Sequence, residues 1–302
     1  MRIATLAPLL VSGFLAFTGC SNPGGAPGNQ ATAGGAPSTA AHRYGPDEET
    51  VMPLLYQQRA AEYRALCLQA YNVAKARVKK AIAKPAPAGK PYAVITDLDE
   101  TAIDNSANSV WAYFADSTTG LDELTHWWLK GVADSVPGAV GFFNYLYNNK
   151  VDIYYISNRT NRPDIVEATR NNMKQLGFPL TSPADTGHFL FLDSGLSSSK
   201  EPRRKKVEAM RTVIVLLGDN LIDLDSAFDG QPLDVRWREV ERLRDSFGAK
   251  YIAFPNAIYG DWENAFYRGF AGRATIGQKD SMRKQYLDSL EICQSCITPT
   301  HN

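Results

Sequence analysis

Tyr92-Ala93-Val94-Ile95-Thr96-Asp97-Leu98-Asp99-Glu100-Thr101 is an uncharged, strand-prone run that ends in carboxylates. Its first five residues predict a strand buried on both faces, as in a parallel sheet. Asp97 and Asp99, two residues apart just past that strand, fall at its carboxyl end, where open α/β sheets bind ligands. Such a pair can hold a hard divalent cation and divide nucleophile and acid–base roles between its members.

Working outward, strand and helix signals alternate. Strands are predicted over 151–156, 189–192, 212–217 and 251–254, with helices over 136–149, 163–176, 202–210 and 234–247. That order predicts an α/β fold with a doubly wound parallel sheet and helices on both faces. Upstream, Tyr63, Leu66, Cys67, Ala70, Tyr71, Ala74 and Val78 fall on one stripe at three- and four-residue steps, predicting one N-terminal helix over 48–83. The aromatic-rich segment 105–136, with Trp111 and Trp127-Trp128, lacks strand signals and reads as a mostly helical cap inserted over the crevice.

The first 47 residues have another character. Arg2 precedes an apolar run over 3–17, too short and interrupted to span a bilayer, which reads as a secretory signal. It ends in Phe17-Thr18-Gly19-Cys20, small residues before a cysteine as in a bacterial lipobox, although Phe17 stands where Leu is usual. This predicts a lipoprotein signal over 1–20, lipidation at Cys20 and a membrane anchor, with an ordinary cleaved signal as the alternative. Residues 21–47 are rich in Gly, Pro, Ala, Ser, Thr and Asn and read as a flexible linker. A coil of roughly twenty residues spans about 25 Å root-mean-square. Residues 48–302 are then read as a single domain.

With 32 basic and 32 acidic residues the chain has no net charge, so no global field draws it to nucleic acid. The basic run Arg203-Arg204-Lys205-Lys206 reads as a solvated helix face. Four histidines, His42, His126, His188 and His301, with no Arg-His-Gly run, argue against histidine-based phosphatase chemistry and a histidine-rich dinuclear site. Cys293 and Cys296 can pair with each other, or one with Cys67, and a lone Cys-x-x-Cys lacks the remaining ligands of a structural zinc site.

The inner strands end in complementary groups. Ser157-Asn158-Arg159 offers a hydroxyl and backbone N–H groups to an anion, and Gly218-Asp219-Asn220-Leu221-Ile222-Asp223 brings two more carboxylates to the same edge. Lys200 stands before Glu201-Pro202, at a helix start that favours negative charge. Carboxylates, a hydroxyl and a lysine gathered on one sheet edge suit a phosphoryl group and Mg²⁺.

In these segments the chain resembles the aspartate-nucleophile phosphatases of the haloacid dehalogenase superfamily, and within them the class C acid phosphatases, the group of outer-membrane lipoprotein e. The resemblance runs from about Leu54 to Phe270 and includes Pro255-Asn256-Ala257-Ile258-Tyr259-Gly260-Asp261-Trp262-Glu263. It implies a Rossmannoid fold and a hydrolase acting on a small phosphomonoester. Asp97 would be the nucleophile, and Asp99 the acid that protonates the leaving oxygen and then takes a proton from water. Mg²⁺ would lie on Asp97, Asp219 and the Asp99 backbone carbonyl. Ser157, Asn158 and Lys200 would hold the phosphate, supported by Thr101 and Asp223, the latter orienting Lys200 or a metal-bound water. A protonated Asp99 implies an acidic optimum. Ala102-Ile103 and Leu224 depart from the family pattern and are expected at the pocket wall.

The resemblance favours 5′-nucleotides, nicotinamide mononucleotide included, with Trp128 and Tyr259 as candidates to stack on a base. It also implies the cell envelope, at the outer membrane, and leaves a homodimer open. Two other readings remain: a surface lipoprotein that binds a nucleotide or haem without turnover, and a phosphotransferase to alcohols.

Overall fold

The computed structural model describes residues 50–115, 120–180, 188–268 and 274–288. The signal, the linker, Cys20, Cys293 and Cys296 lie outside the described residues. Two helices lead in, α1 (Val51–Arg59) and α2 (Ala61–Ile82), followed by strand β1 (Tyr92–Thr96). A short antiparallel ladder of β2 (Ile103–Asp104) with β3 (Asp134–Ser135) brackets helices α3 (Ser106–Phe114) and α4 (Leu121–Lys130). Then come α5 (Ala139–Asn148), β4 (Asp152–Thr160), α6 (Pro163–Gln175), β5 (Phe189–Leu192), α7 (Glu201–Met210), β6 (Thr212–Gly218), α8 (Leu233–Arg242) and β7 (Tyr251–Ala253). The four-residue α9 (Asp261–Asn264) and α10 (Ile276–Asp288), neither of them expected from sequence, follow.

The main sheet is parallel throughout, in the order β5-β4-β1-β6-β7. The chain builds β4 and β5 on one side of β1, then crosses to lay β6 and β7 on the other. The carboxyl end of β1 is therefore the switch point at which such sheets open a ligand crevice.

Successive side chains of each strand point to opposite faces. Val94, Tyr155 and Leu217 pack with Phe142 and Phe143 of α5 and Tyr71 of α2 in the larger core. Ile95, Tyr154 and Leu216 face the other way, against Val207 of α7 and Leu224. Each fully buried residue of this kind contributes about 1.5–3 kcal/mol relative to an exposed one.

The predicted helix over 48–83 is two helices. Ala60 is extended (φ −73°, ψ 131°) and separates α1 from α2. The reason lies in phase: Leu54 and Tyr63 are nine residues apart, about two and a half turns, so one straight helix would aim them oppositely. Both are buried, and the break makes that possible. It also sets α1 beside α3, where the Gln58 amide donates to the Ser106 hydroxyl.

Candidate active site

The Asp97–Thr101 loop is folded by its own backbone. Fully buried Leu98 drops its side chain into the larger core, and its neighbours Asp97 and Asp99 line the cavity above. The Leu98 carbonyl accepts the Ala102 and Ile103 amides at 2.9 and 2.8 Å, turning the chain back on itself. The turn needs a left-handed residue, and Glu100 supplies it at φ 57°, an uncommon conformation outside glycine. From below, the Tyr71 hydroxyl of α2 donates to the Thr101 carbonyl, and the Asp97 amide donates to the Leu217 carbonyl of β6.

Asp97, Asp219 and Asp223 each offer one carboxylate oxygen, and these lie within 4.8 Å of one another. Lys200, at the start of α7, is the ammonium among them: its Nζ contacts Asp97 Oδ1 and lies 2.6 Å from Asp223 Oδ1. Asp219 accepts from the Thr101 hydroxyl at 3.1 Å and from the Asn256 amide at 2.8 Å. Asp223 accepts the Asn220 amide at 3.0 Å. Gly218 makes room for this. A Cβ there would sit 2.3 Å from Asp223 Cβ and 2.6 Å from its Oδ2, so a side chain at 218 would displace Asp223.

The charges do not balance. Burial lifts the Asp97 carboxyl well above its ordinary range; Lys200 opposes the rise, and Asp223 and Asp219 add to it. Burial and Asp223 push Asp219 up to about 7. Burial alone would lower the Lys200 ammonium, yet Asp223 and Asp97 outweigh it and hold the lysine charged. Three carboxylates around one ammonium, all with oxygen donors, fit a hard divalent cation.

Asp99, two residues on, is in a different environment. Arg159, nearly fully buried, grips it with a fork: Nη2 donates to Oδ1 at 2.7 Å and Nε lies 3.1 and 3.2 Å from the two oxygens. The Asn105 amide donates to Oδ1 at 2.8 Å and the Ser157 hydroxyl to Oδ2 at 3.3 Å. Burial pushes Asp99 up, but Arg159 outweighs it and holds the carboxyl below its usual value. The expected first step needs Asp99 protonated, whereas the resting site holds it as a carboxylate. The cause is a fixed guanidinium that a motif of spaced aspartates does not reveal.

Asp97, Asp99, Asn158, Lys200, Asp219 and Asp223 all face one cavity of about 590 Å³, which Trp128 and Tyr259 also line. Ser157 and Thr101 stand behind it, fully buried. The Asn158 side chain is committed to the Ser198 carbonyl (2.9 Å) and to Arg203 (2.6 Å). Trp128 is 8% exposed and has the Arg159 guanidinium 5.4 Å from its ring centroid, so one face of the indole is occupied. Tyr259 is 41% exposed at the cavity, and its hydroxyl donates to Glu100 at 3.1 Å.

Two expectations are corrected. Arg203 and Arg204 are not a solvated face. Arg203 donates to the Ser157 carbonyl at 2.7 Å, and Arg204, 2% exposed, donates to the Ile222 carbonyl at 2.6 Å. They tie α7 to strand β4, which carries Ser157, and to the loop that carries Asp223, while Lys205 and Lys206 are exposed as expected. Ala102, Ile103 and Leu224 are buried in the cores rather than set in the cavity wall.

Sequence reasoning also gave no role to Glu100. It is fully buried and accepts from Gln57 (2.6 Å), the Asn105 amide (3.1 Å) and Tyr259, tying α1, α3 and the segment after β7 to the loop. Burial, then Asp104 and Asp99, raise its carboxyl to about 8. Asn256 falls in a stretch already singled out, but only the fold shows that it meets Asp219.

Residues 45–262 match the family described as HAD superfamily, subfamily IIIB (Acid phosphatase). Two solved structures of the class C acid phosphatase from Bacillus anthracis, one with tungstate bound, are 33% identical to this chain. Each covers 82% of this chain and 98% of its own length, with a TM-score of 0.72.

Proposed function

We propose that this chain, which belongs to the acid phosphatases of subfamily IIIB of the HAD superfamily, hydrolyses nucleoside 5′-monophosphates through an aspartyl-phosphate on Asp97. That it is a phosphoric monoester hydrolase follows from the family; substrate, metal and residue roles are our reading. The observation that carries it is the buried carboxylate excess of Asp97, Asp219 and Asp223 around Lys200, opening onto a cavity with aromatic walls.

An Asp97 oxygen attacks phosphorus; the bond to the leaving oxygen breaks, and that oxygen takes a proton from Asp99. In the second half a water gives its proton to Asp99 and its oxygen to phosphorus, releasing Asp97 and inorganic phosphate. Lys200, fixed between Asp97 and Asp223, meets the non-bridging oxygens, with Ser157 and Asn158 of β4 beside it. Asp97, Asp219 and the Asp99 backbone carbonyl, with Asp223 also within reach, would hold Mg²⁺, which when bound offsets the repulsion between carboxylate and phosphate dianion. Because Arg159 holds Asp99 down, its acid form builds up only at low pH, in keeping with an acidic optimum.

Tyr259 offers an accessible ring on which a base can stack, and Trp128 closes the wall behind it. We also place the enzyme in the cell envelope at the outer membrane, tethered by a lipid on Cys20; Cys20→Ser would release it from membranes. The test of the catalytic reading is phosphate release from a panel of monophosphates at mildly acidic pH, with EDTA and with Mg²⁺ restored. Release that EDTA abolishes and Mg²⁺ restores, ranked with nucleotides first, is expected. Release indifferent to EDTA would remove the metal, and a panel led by sugar phosphates would remove the nucleotide.

A further inference from the structure

Helix α3 turns one face to the cavity: Asn105, Asn108, Ser109, Ala112 and Tyr113, at three- and four-residue steps. Asn108 lies within that face and is 4% exposed. In a capping box the side chain three places beyond the N-cap, a Glu or Gln, reaches back to the N-cap amide. In α3 that use is closed, because the Asn105 amide donates to Glu100 Oε1 at 3.1 Å. The Asn105 side chain is committed too, donating to Asp99 and accepting from the Trp127 indole at 2.8 Å.

The Asn108 backbone N–H donates to the Asn105 carbonyl at 2.8 Å, whereas among the described residues its side-chain amide makes no hydrogen bond and opens onto the cavity. Leu54, Ala112, Leu121, Leu124 and Ile258 supply apolar lining to the same cavity. Open to the cavity and bound to no neighbour, the Asn108 side-chain amide can exchange water for a ligand group offering a donor and an acceptor.

We propose that Asn108 is a specificity-determining residue that hydrogen-bonds the leaving group of the substrate. An asparagine amide presents a donor beside an acceptor and so matches an edge carrying the reverse pair, as adenine does. The inference rests on the nucleotide reading above. It adds that preference for a nucleotide comes from a polar reader in an apolar wall as well as from stacking. A site built to hydrogen-bond a group rejects analogues that lack it far more strongly than a hydrophobic pocket rejects a misfit.

The test compares the native enzyme with Asn108→Leu, which keeps the volume and removes both polar atoms. kcat/KM is measured for adenosine 5′-monophosphate and for phenyl phosphate, whose leaving group is flat but has no such edge. The ratio of the two is expected to fall about tenfold or more in the variant, while phenyl phosphate turnover reports that the site is assembled. Loss of both activities in proportion would make Asn108 structural and overturn the proposal, as would an unchanged ratio. A native enzyme that already prefers phenyl phosphate would overturn the nucleotide reading and this inference together. A native preference for the nucleotide that survives in Asn108→Leu would overturn only the role of Asn108.

Discussion

Asp97 and Asp99 are separated by one leucine, yet they stand in opposite electrostatic surroundings. Asp97 shares its space with Asp219 and Asp223 and one ammonium, so negative charge is in excess and its carboxyl is pushed up. Asp99 is held by a guanidinium fork and an asparagine amide, so its carboxyl is pulled down. The difference comes from the partners that converge, not from the loop. The first group draws on β6 and the start of α7, the second on β4 and the start of α3. The first station has an excess of negative charge that a cation could offset; the second is already neutralised by the protein. On the reading proposed above, that difference gives two carboxylates of like chemistry different work.

Removing Arg159 should produce the largest change in this contrast. Arg159→Ala leaves the Asp99 carboxylate with its burial but not its partner, and breaking a buried pair in this way costs about 3 kcal/mol. Urea unfolding would measure it. The sign with pH follows from the lowered carboxyl: the pair's contribution is present above the unfolded value of Asp99 and is lost as pH falls through the folded one. The deficit of the variant should therefore shrink in acid. Its activity optimum should move to higher pH, because Asp99 then keeps its proton further up the scale. An optimum that stays in place would separate Asp99 from the proton transfers.

Gly218→Ala attacks the other station. The new methyl would overlap Asp223, and overpacking of this kind costs about 1–3 kcal/mol. Because Asp223 also holds Lys200, the variant should need more Mg²⁺ for half-maximal activity as well as melting earlier, a pairing that metal titration and a thermal scan would reveal. A lower melting temperature with unchanged metal demand would mean that Asp223 is dispensable to the cation.

The last prediction concerns Glu100, which lies behind both stations, and is read from a slope with pH, not from lost activity. Its carboxyl is raised to about 8 in the folded protein, so between the ordinary glutamate value and that point the folded state keeps a proton the unfolded state has lost. Stability then falls as pH rises through this window. In EDTA, Glu100→Gln should flatten the decline between acidic and mildly alkaline pH, read by urea midpoints. An equal slope in both proteins would assign the decline to Asp97 and Asp219 alone.

How much of this was legible beforehand depends on the range of the interaction. The uncharged run over 92–96 and the alternation after it announced the parallel sheet, because buried strands leave a local composition signal. Asp97, Asp99, Asp219 and Lys200 were legible from their places at strand and helix ends. The break at Ala60 was not, since no proline or glycine marks it and its cause is the phase at which two faces meet distant neighbours. Arg159 stood in view as part of a motif, but its grip on Asp99 spans 60 residues. Arg203 and Arg204 looked solvated because charge on a helix usually is; the carbonyls that draw them inward belong to other elements. Asn108 carried no signal at all, and only the commitments of Asn105 and Glu100 isolate it.

The proposed catalysis stands or falls on Asp97 as the nucleophile. The most direct measurement is an acid quench during turnover, followed by mass analysis of the peptide that contains residues 97–101. The expected result is a gain of one phosphoryl group on Asp97, labile to hydroxylamine and absent from Asp97→Asn, whose turnover should fall about 10⁴-fold or more. A phosphoryl group on any other residue, or an Asp97→Asn enzyme that still turns over at the native rate, would contradict it.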